Sequence, residues 1–202
     1  MNNIYISGFM GTGKSAVGRQ LAKIKKWHFA DLDEFIELRQ KRRIVDIFAK
    51  YGEAYFRGIE KKALKEVSAQ DKFVVACGGG VVLDKHNIKL MKKTGMLICL
   101  SATPAEILKR VSAETHRPLL NVKNPLKRIE LLLKMRAPFY MQADCIVDTS
   151  KLTIKQVMKK IIKVTSKKKE VRVILRNPAF GGVTKNLKRD PSASPQDDKT
   201  RA

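Results

Sequence analysis

The sequence predicts an α/β fold, a three-layer sandwich with a five-stranded parallel sheet and helices on both faces. Three observations predict it. Five short β-rich runs alternate with segments of helical period, the pattern of a parallel sheet covered on both sides. One run, GMLICLS (95–101), is apolar without alternation, as a strand buried on both faces must be. A glycine-rich loop follows the first strand directly and opens the first helix.

The elements follow in order. NIYIS (3–7) is the first strand. From Lys14 to about Lys25, Val17, Leu21 and Ile24 recur at helical spacing and mark a buried face. HFADLD (28–33) reads as the second strand, with two carboxylates at its end, and is expected to lie beside the first. Helical patterns cover roughly 34–42, 45–51 and 54–69. KFVVACGGG (72–80) is the third strand and runs into three glycines; residues 84–93 are helical, and 95–101 is the fourth strand. TPAE (103–106) starts a helix to about Ser112 with a threonine cap, a first-position proline and a glutamate reaching back. AETHRPLLNVK (113–123) has no sustained period and reads as a loop. NPLKRIELLLKMRAPFY (124–140) starts a helix on an asparagine cap and a proline. DCIVDT (144–149) is the fifth strand, and TIKQ (153–156) is a capping box opening a helix to about Val164. Residues 1–165 thus form one domain. Residues 166–202, rich in Pro, Gly, Ser and charge, bury little and read as a basic, disordered extension.

Composition narrows the function. Of 202 residues 44% are hydrophobic, enough for a core, and 30% are charged. No apolar run approaches the roughly 20 residues of a membrane helix. MNNIYISG lacks the charged and apolar regions of a secretory signal. Cys77, Cys99 and Cys145 sit in apolar contexts without paired spacing, as buried thiols of a reducing cytoplasm would. The three histidines are scattered and suggest no metal cluster. The net charge of +23 attracts polyanions and anionic metabolites alike. The extension holds ten Lys/Arg against four Asp/Glu, so most of the excess lies in the body. A cytoplasmic monomer acting on a small molecule is expected, with neither membrane nor nucleic acid as its main partner.

GFMGTGKS (8–15) fits G-x-x-x-x-G-K-[ST] with Gly8, Gly13, Lys14 and Ser15, between a strand and a helix. Glycines let the backbone curl so that N–H groups point at phosphate oxygens, and the helix adds its positive end. The nucleotide is expected on Gly11, Thr12, Gly13, Lys14, Ser15 and Ala16. Lys14 would meet the β- and γ-phosphates, and the Ser15 hydroxyl would ligate Mg²⁺. Asp31 and Asp33, two apart on a strand, would point to one side, toward this loop. One carboxylate would serve Mg²⁺ and the other an acceptor hydroxyl; a plain helix cap is the competing reading.

GFMGTGKS, DLDEFIE, IVDIFAKYGEAYFRGIE, VVACGGGVV, RPLL and KMRAPFY occur in the order and spacing of shikimate kinases, and residues 2–165 resemble that family. The resemblance implies a P-loop kinase-type fold with a mobile lid at about 112–123. It implies ATP-dependent phosphorylation of the shikimate 3-hydroxyl in aromatic amino-acid biosynthesis, with ATP and Mg²⁺. Arg57 and Arg136 would clamp the shikimate carboxylate, a task that suits the guanidinium fork. Asp33 would hold the hydroxyls and help deprotonate the attacking one. Gly78, Gly79 and Gly80 would bring backbone close to the substrate ring. Asp31 would act on Mg²⁺ through water. Arg117 would swing in on the lid to neutralise the transferring phosphoryl group, and Arg110 would pack on adenine.

Blander readings stand beside these. Arginines on helices are usually solvated, and LKR around Arg110 could be plain surface. Phe48, Phe56, Trp27 and Tyr140 read as core aromatics, and Cys77 as a packed thiol. The rival activities are a kinase of the same fold acting on another hydroxy acid such as gluconate, and a nucleotide-binding protein whose extension holds nucleic acid. The extension has one aromatic, Phe180, and so little to stack bases on.

Overall fold

The computed structural model of the protein describes residues 3–112, 122–166 and 173–174. Along the chain run β1 (Asn3–Gly8), α1 (Lys14–Lys25), β2 (His28–Asp31), α2 (Leu32–Gln40) and α3 (Ile44–Ser68). Then come β3 (Phe73–Ala76), a 3-10 turn at Val81–Leu83, α4 (Lys85–Thr94), β4 (Gly95–Ser101) and α5 (Pro104–Val111). After the loop come α6 (Pro125–Tyr140), β5 (Cys145–Asp148), α7 (Ile154–Ser166) and β6 (Val173–Ile174).

All strand pairs are parallel, in the order β2-β3-β1-β4-β5-β6. The five expected strands are present. The two-residue β6 adds to β5 at the edge, with Cys145 opposite Val173; two residues are too few for a period to register in sequence. β2 does not lie beside β1 as expected: β3 sits between them, pairing Val74 with both Ile4 and Phe29. Strand order depends on where a chain returns to the sheet, and no local pattern encodes it.

Caps explain the helix starts. Thr103 accepts from the Glu106 N–H, and Asn124 accepts from that of Lys127, each ahead of a first-turn proline. Thr153 and Gln156 form a reciprocal box, each side chain accepting from the other's backbone N–H at 3.3 and 2.8 Å. Gly52 breaks α3 with φ 76° and ψ 177°, a region open essentially to glycine alone. That break separates the two helical patterns read at 45–51 and 54–69.

Each sheet face carries its own core. On one, Val17, Leu21 and Ala22 of α1 and Val157, Met158 and Ile161 of α7 pack on Ile4, Ile6, Ile98 and Val147. On the other, Leu32, Ile36, Leu64 and Met91 pack on Tyr5, Val75, Leu97 and Cys99. Ile24, expected on the buried face of α1, is 59% exposed; it lies in the last turn, and Trp27 of the returning chain packs against that core. The central β1 has β3 on one side and β4 on the other. In an open parallel sheet, the crevice at the carboxyl ends of strands flanking such a switch point is where ligands bind.

Candidate active site

The loop between β1 and α1 curls through Gly11 (φ 72°) and Gly13 (φ 90°), conformations that cost a side chain but not a glycine. Its carbonyls are held by named donors. Phe9 O accepts from the Thr12 hydroxyl at 2.7 Å and Lys14 Nζ at 3.1 Å, and Gly13 O accepts from Val17 N–H at 2.9 Å. Gly11 O accepts from Arg110 at 3.2 Å. The loop borders a cavity of about 320 Å³ that also touches Lys14, Ser15, Ala16, Asp31 and Asp33. Thr12 is 1% exposed and its hydroxyl is spent inside the loop, so only its backbone can serve a ligand.

Asp31 and Asp33 converge on this cavity by a different route from strand alternation. β2 stops at Asp31, which caps α2: its Oδ1 accepts from the Asp33 N–H at 3.1 Å. Its other oxygen accepts from the Ser15 hydroxyl at 2.6 Å. The helix-cap reading of Asp31 holds, and the same carboxylate reaches the phosphate loop through Ser15. Asp33 lies in the first turn of α2. Burial lifts its carboxyl above the ordinary range, the Asp31 charge adds to this, and Lys14 and Arg57 pull it back. A lifted carboxylate is a better proton acceptor at neutral pH than an ordinary one. Ser15 and Asp31 present adjacent oxygens beside the phosphate loop. Mg²⁺ accepts few protein oxygens and fills its octahedron with water and phosphate, so this donor set fits it. Among the described residues no group of three or more His, Cys, Asp or Glu could hold a metal by itself.

The three glycines after β3 lie where Asp33, Arg57 and Arg136 meet. A Cβ on Gly78 would lie 2.8 Å from Asp33 Oδ1, and one on Gly79 would lie 3.6 Å from Arg136 Nη1. One on Gly80 would lie 2.7 Å from Arg57 Cζ. Successive Cα atoms are about 3.8 Å apart, so one short segment gathers the aspartate and both arginines. Arg57 is held on two sides. Nη1 donates to Glu60 Oε2 at 2.7 Å, while Nε and Nη2 donate to Glu53 Oε1 at 3.2 and 3.0 Å. Glu60 is 1% exposed; burial lifts its carboxyl, against the pull of the Arg57 guanidinium. Arg136 lies over the Phe9 ring at 5.7 Å. Tyr140 is buried, donates to Gly79 O at 2.9 Å, and has its hydroxyl pushed up to about 12, first by burial.

Arg110 borders the cavity, but its edge is committed to protein. It donates to Glu106, to Gly11 O, and to the hydroxyl and carbonyl of Thr149. Arg117 and most of the expected lid lie outside the described residues. Cys77 touches the cavity, yet burial pushes its thiol far above the ordinary range, which makes it inert. Phe56 is core, whereas Phe48, its ring tilted against that of Phe56 at 4.6 Å between centroids, is 36% exposed. A larger open cleft of about 740 Å³ between α2 and α3 carries mixed charge from Glu34, Arg42 and Asp46 and none of the expected site residues.

Sequence reasoning missed Glu60 and Thr149; Tyr140 is core as read, and only its hydrogen bond to Gly79 O was not foreseen. Glu60 and Tyr140 fall on helices, where a glutamate reads as surface and a tyrosine as core. The signal available was spacing: Glu60 lies one helical turn from Arg57, and Tyr140 lies one turn from Arg136.

Comparison with known proteins places this geometry among relatives. The family model described as shikimate kinase matches residues 10–166. The shikimate kinase of Thermodesulfovibrio yellowstonii is 46% identical over 163 residues, 81% of this chain and 94% of that protein. That of Thermoanaerobacter pseudethanolicus is 45% identical over 163 residues, 81% of this chain and 95% of its own. A solved structure, shikimate kinase from Acinetobacter baumannii in complex with shikimate, superposes with a TM-score of 0.78 at 34% identity. That superposition covers 84% of this chain and 96% of the other.

Proposed function

The chain belongs to the shikimate kinase family, and we propose that the residues gathered at the carboxyl edge of its sheet divide the work of that reaction among them. The reaction moves the terminal phosphoryl group of ATP to the 3-hydroxyl of shikimate, giving ADP, 3-phosphoshikimate and a proton. It is a step of aromatic amino-acid biosynthesis.

The observation that carries the assignment is the glycine hub. A side chain at Gly78, Gly79 or Gly80 would meet Asp33, Arg136 or Arg57 in turn, and Asp33 borders the cavity of the phosphate loop. Two guanidinium groups suit the substrate carboxylate, and Asp33, beside both Arg57 and the phosphate-loop cavity, would take the hydroxyls between them. Asp33 aims the attacking hydroxyl and takes its proton, a role its lifted carboxyl favours. Lys14 and the inward N–H groups of Gly11, Thr12, Gly13, Ser15 and Ala16 spread the charge that builds on the phosphoryl oxygens. Ser15 directly and Asp31 through water would hold Mg²⁺, whose bound charge neutralises the β- and γ-phosphates. Arg117 belongs to the lid in the same proposal, and the planar face of Arg110 to the base. The site groups named here all belong to one chain, so a monomer would suffice for the reaction as proposed. The unpaired Cys77, Cys99 and Cys145 suit a cytoplasmic setting. No described helix is long and apolar enough to cross a membrane. Residues 1–165 are proposed as the catalytic domain and 166–202 as an extension outside it; the family match ends at residue 166.

A coupled ADP-release assay with shikimate, with and without Mg²⁺, tests this. Turnover should require both. Arg136→Ala should lower kcat/KM for shikimate by about 10²-fold or more while ATP still binds. Preference for another hydroxy acid such as gluconate, or an Arg136→Ala variant of full activity, would overturn the acceptor assignment.

A further inference from the structure

A loop that binds phosphate through its N–H groups must keep its carbonyls turned away. A peptide that flips presents an oxygen to an anion, and the peptides flanking Gly11 and Gly13 are the freest to flip, because glycine tolerates either sign of φ. The carbonyls of this loop therefore need donors on the outside. Phe9 O and Gly13 O find them within the loop and the first turn of α1. Gly11 O and Thr12 O do not, and their partners come from distant parts of the chain. Arg110 at the end of α5 donates to Gly11 O at 3.2 Å. The Thr149 hydroxyl, just beyond β5, lies 3.4 Å from Thr12 O and 3.0 Å from Ser101 O and shares its one proton between them, while accepting from Arg110.

These two residues also hold one another. Arg110 Nη1 donates to the Thr149 hydroxyl at 2.9 Å, and Nη2 donates to its carbonyl at 2.9 Å. Thr149 is 3% exposed and anchored to β4 by its N–H, which donates to Ser101 O at 2.8 Å. Glu106 takes the Arg110 Nε–H at 2.9 Å and sets the plane of the fork. Gly11 itself packs so closely on α5 that a Cβ there would lie 2.8 Å from Val111 Cγ1. Four of the five guanidinium N–H groups are thus directed to protein acceptors.

We propose that Arg110 and Thr149 are positioning residues that clasp the phosphate loop from behind and hold it in its anion-binding form before any nucleotide arrives. The role belongs to the edge of the guanidinium; its face remains available to a base. This inference rests on the nucleotide-site part of the proposed function and adds a cause for its affinity, pre-organisation.

Inorganic tripolyphosphate, which has no base, separates the two roles. Its dissociation constant and that of ATP are measured by titration calorimetry, well below the melting temperature, for the wild type, Thr149→Val, Thr149→Ser and Arg110→Ala. Thr149→Val should weaken both ligands by a similar factor, on the order of five- to tenfold, and Thr149→Ser should restore both. The KM for shikimate at saturating ATP should stay within about twofold in Thr149→Val, which general loosening of the fold would not allow. Arg110→Ala should weaken tripolyphosphate as well as ATP, and it carries the comparison if Thr149→Val does not fold. Unchanged tripolyphosphate affinity in Thr149→Val and Arg110→Ala, with ATP alone weakened, would reduce Arg110 to a base contact and overturn the clasp. Failure of both ligands to bind the wild type would instead remove the nucleotide site itself.

Discussion

An alanine at position 80 would bring its Cβ within 2.7 Å of Arg57 Cζ, and closer still to both terminal nitrogens. Carbon atoms rest at about 3.5–4.0 Å, so the guanidinium must retreat by about 1 Å. The backbone has no reason to object, because Gly80 sits at φ −99° and ψ −10°, open to any L-residue. What moves is the far end of a flexible side chain, so the melting temperature should hold. What breaks is registration. The 2.7 Å bond from Arg57 to Glu60 stretches beyond hydrogen-bond reach, and the acid anchor shifts relative to Arg136. A 1 Å misplacement of a positioning group can cost about 10²-fold. Gly80→Ala should therefore raise the shikimate KM by about 10- to 100-fold, or about 1.4–2.8 kcal/mol, with the ATP KM within about twofold. Gly58→Ala is the matched control. It adjoins Arg57 in α3, and a Cβ there meets nothing within 4 Å. It should leave both KM values alone and stabilise the helix by about 0.4–1 kcal/mol. Steady-state ADP release with each substrate varied, plus a thermal melt, decides the matter. A Gly80→Ala enzyme with wild-type shikimate KM would refute the anchoring role of Arg57.

Asp33→Asn should abolish most turnover and yet stabilise the unliganded protein at neutral pH by about 1 kcal/mol. The sign follows from its raised carboxyl: the folded chain binds the proton more tightly than the unfolded chain, so stability falls as pH rises from the ordinary aspartate range through the raised value. The gain in melting temperature should accordingly fade in acid, where both states carry the protonated form; a gain independent of pH would contradict the burial argument. Glu60→Gln keeps the shape of the side chain but removes the buried charge behind Arg57. Arg57 keeps Glu53 and is 30% exposed, and burial already lifts the Glu60 carboxyl, so removing its charge should change stability by no more than about 1 kcal/mol. The shikimate KM should rise several-fold, and an unchanged value would show that Glu53 alone positions the arginine.

Much of the fold was legible because its signals are local. Thr103, Asn124 and Thr153 announce their helices within four residues, and Gly52 separates two helical periods by itself. The phosphate loop was legible for the same reason: eight consecutive residues contain both its curl and its lysine. Asp31 and Asp33 were assigned the right place for an incomplete reason. The strand stops one residue into the motif, and a helix cap, not strand alternation, aims both carboxylates. Ile24 has the helical angle of a buried residue and still lies in water, since angle alone does not say how far a sheet extends beneath a helix.

By itself, the sequence determined which segments become strands and helices, where the phosphate loop lies, and which acidic and basic residues are candidates for the chemistry. Only the tertiary structure decided that β3 separates β1 from β2, which sets its three glycines at the meeting point of Asp33, Arg57 and Arg136. It also decided that Glu60, Tyr140 and Thr149 are bonded to Arg57, Gly79 and Arg110. The reason is physical: turns, caps and periods depend on neighbours a few bonds away, whereas a clasped carbonyl depends on groups 99 and 137 residues distant, brought together when the sheet assembles.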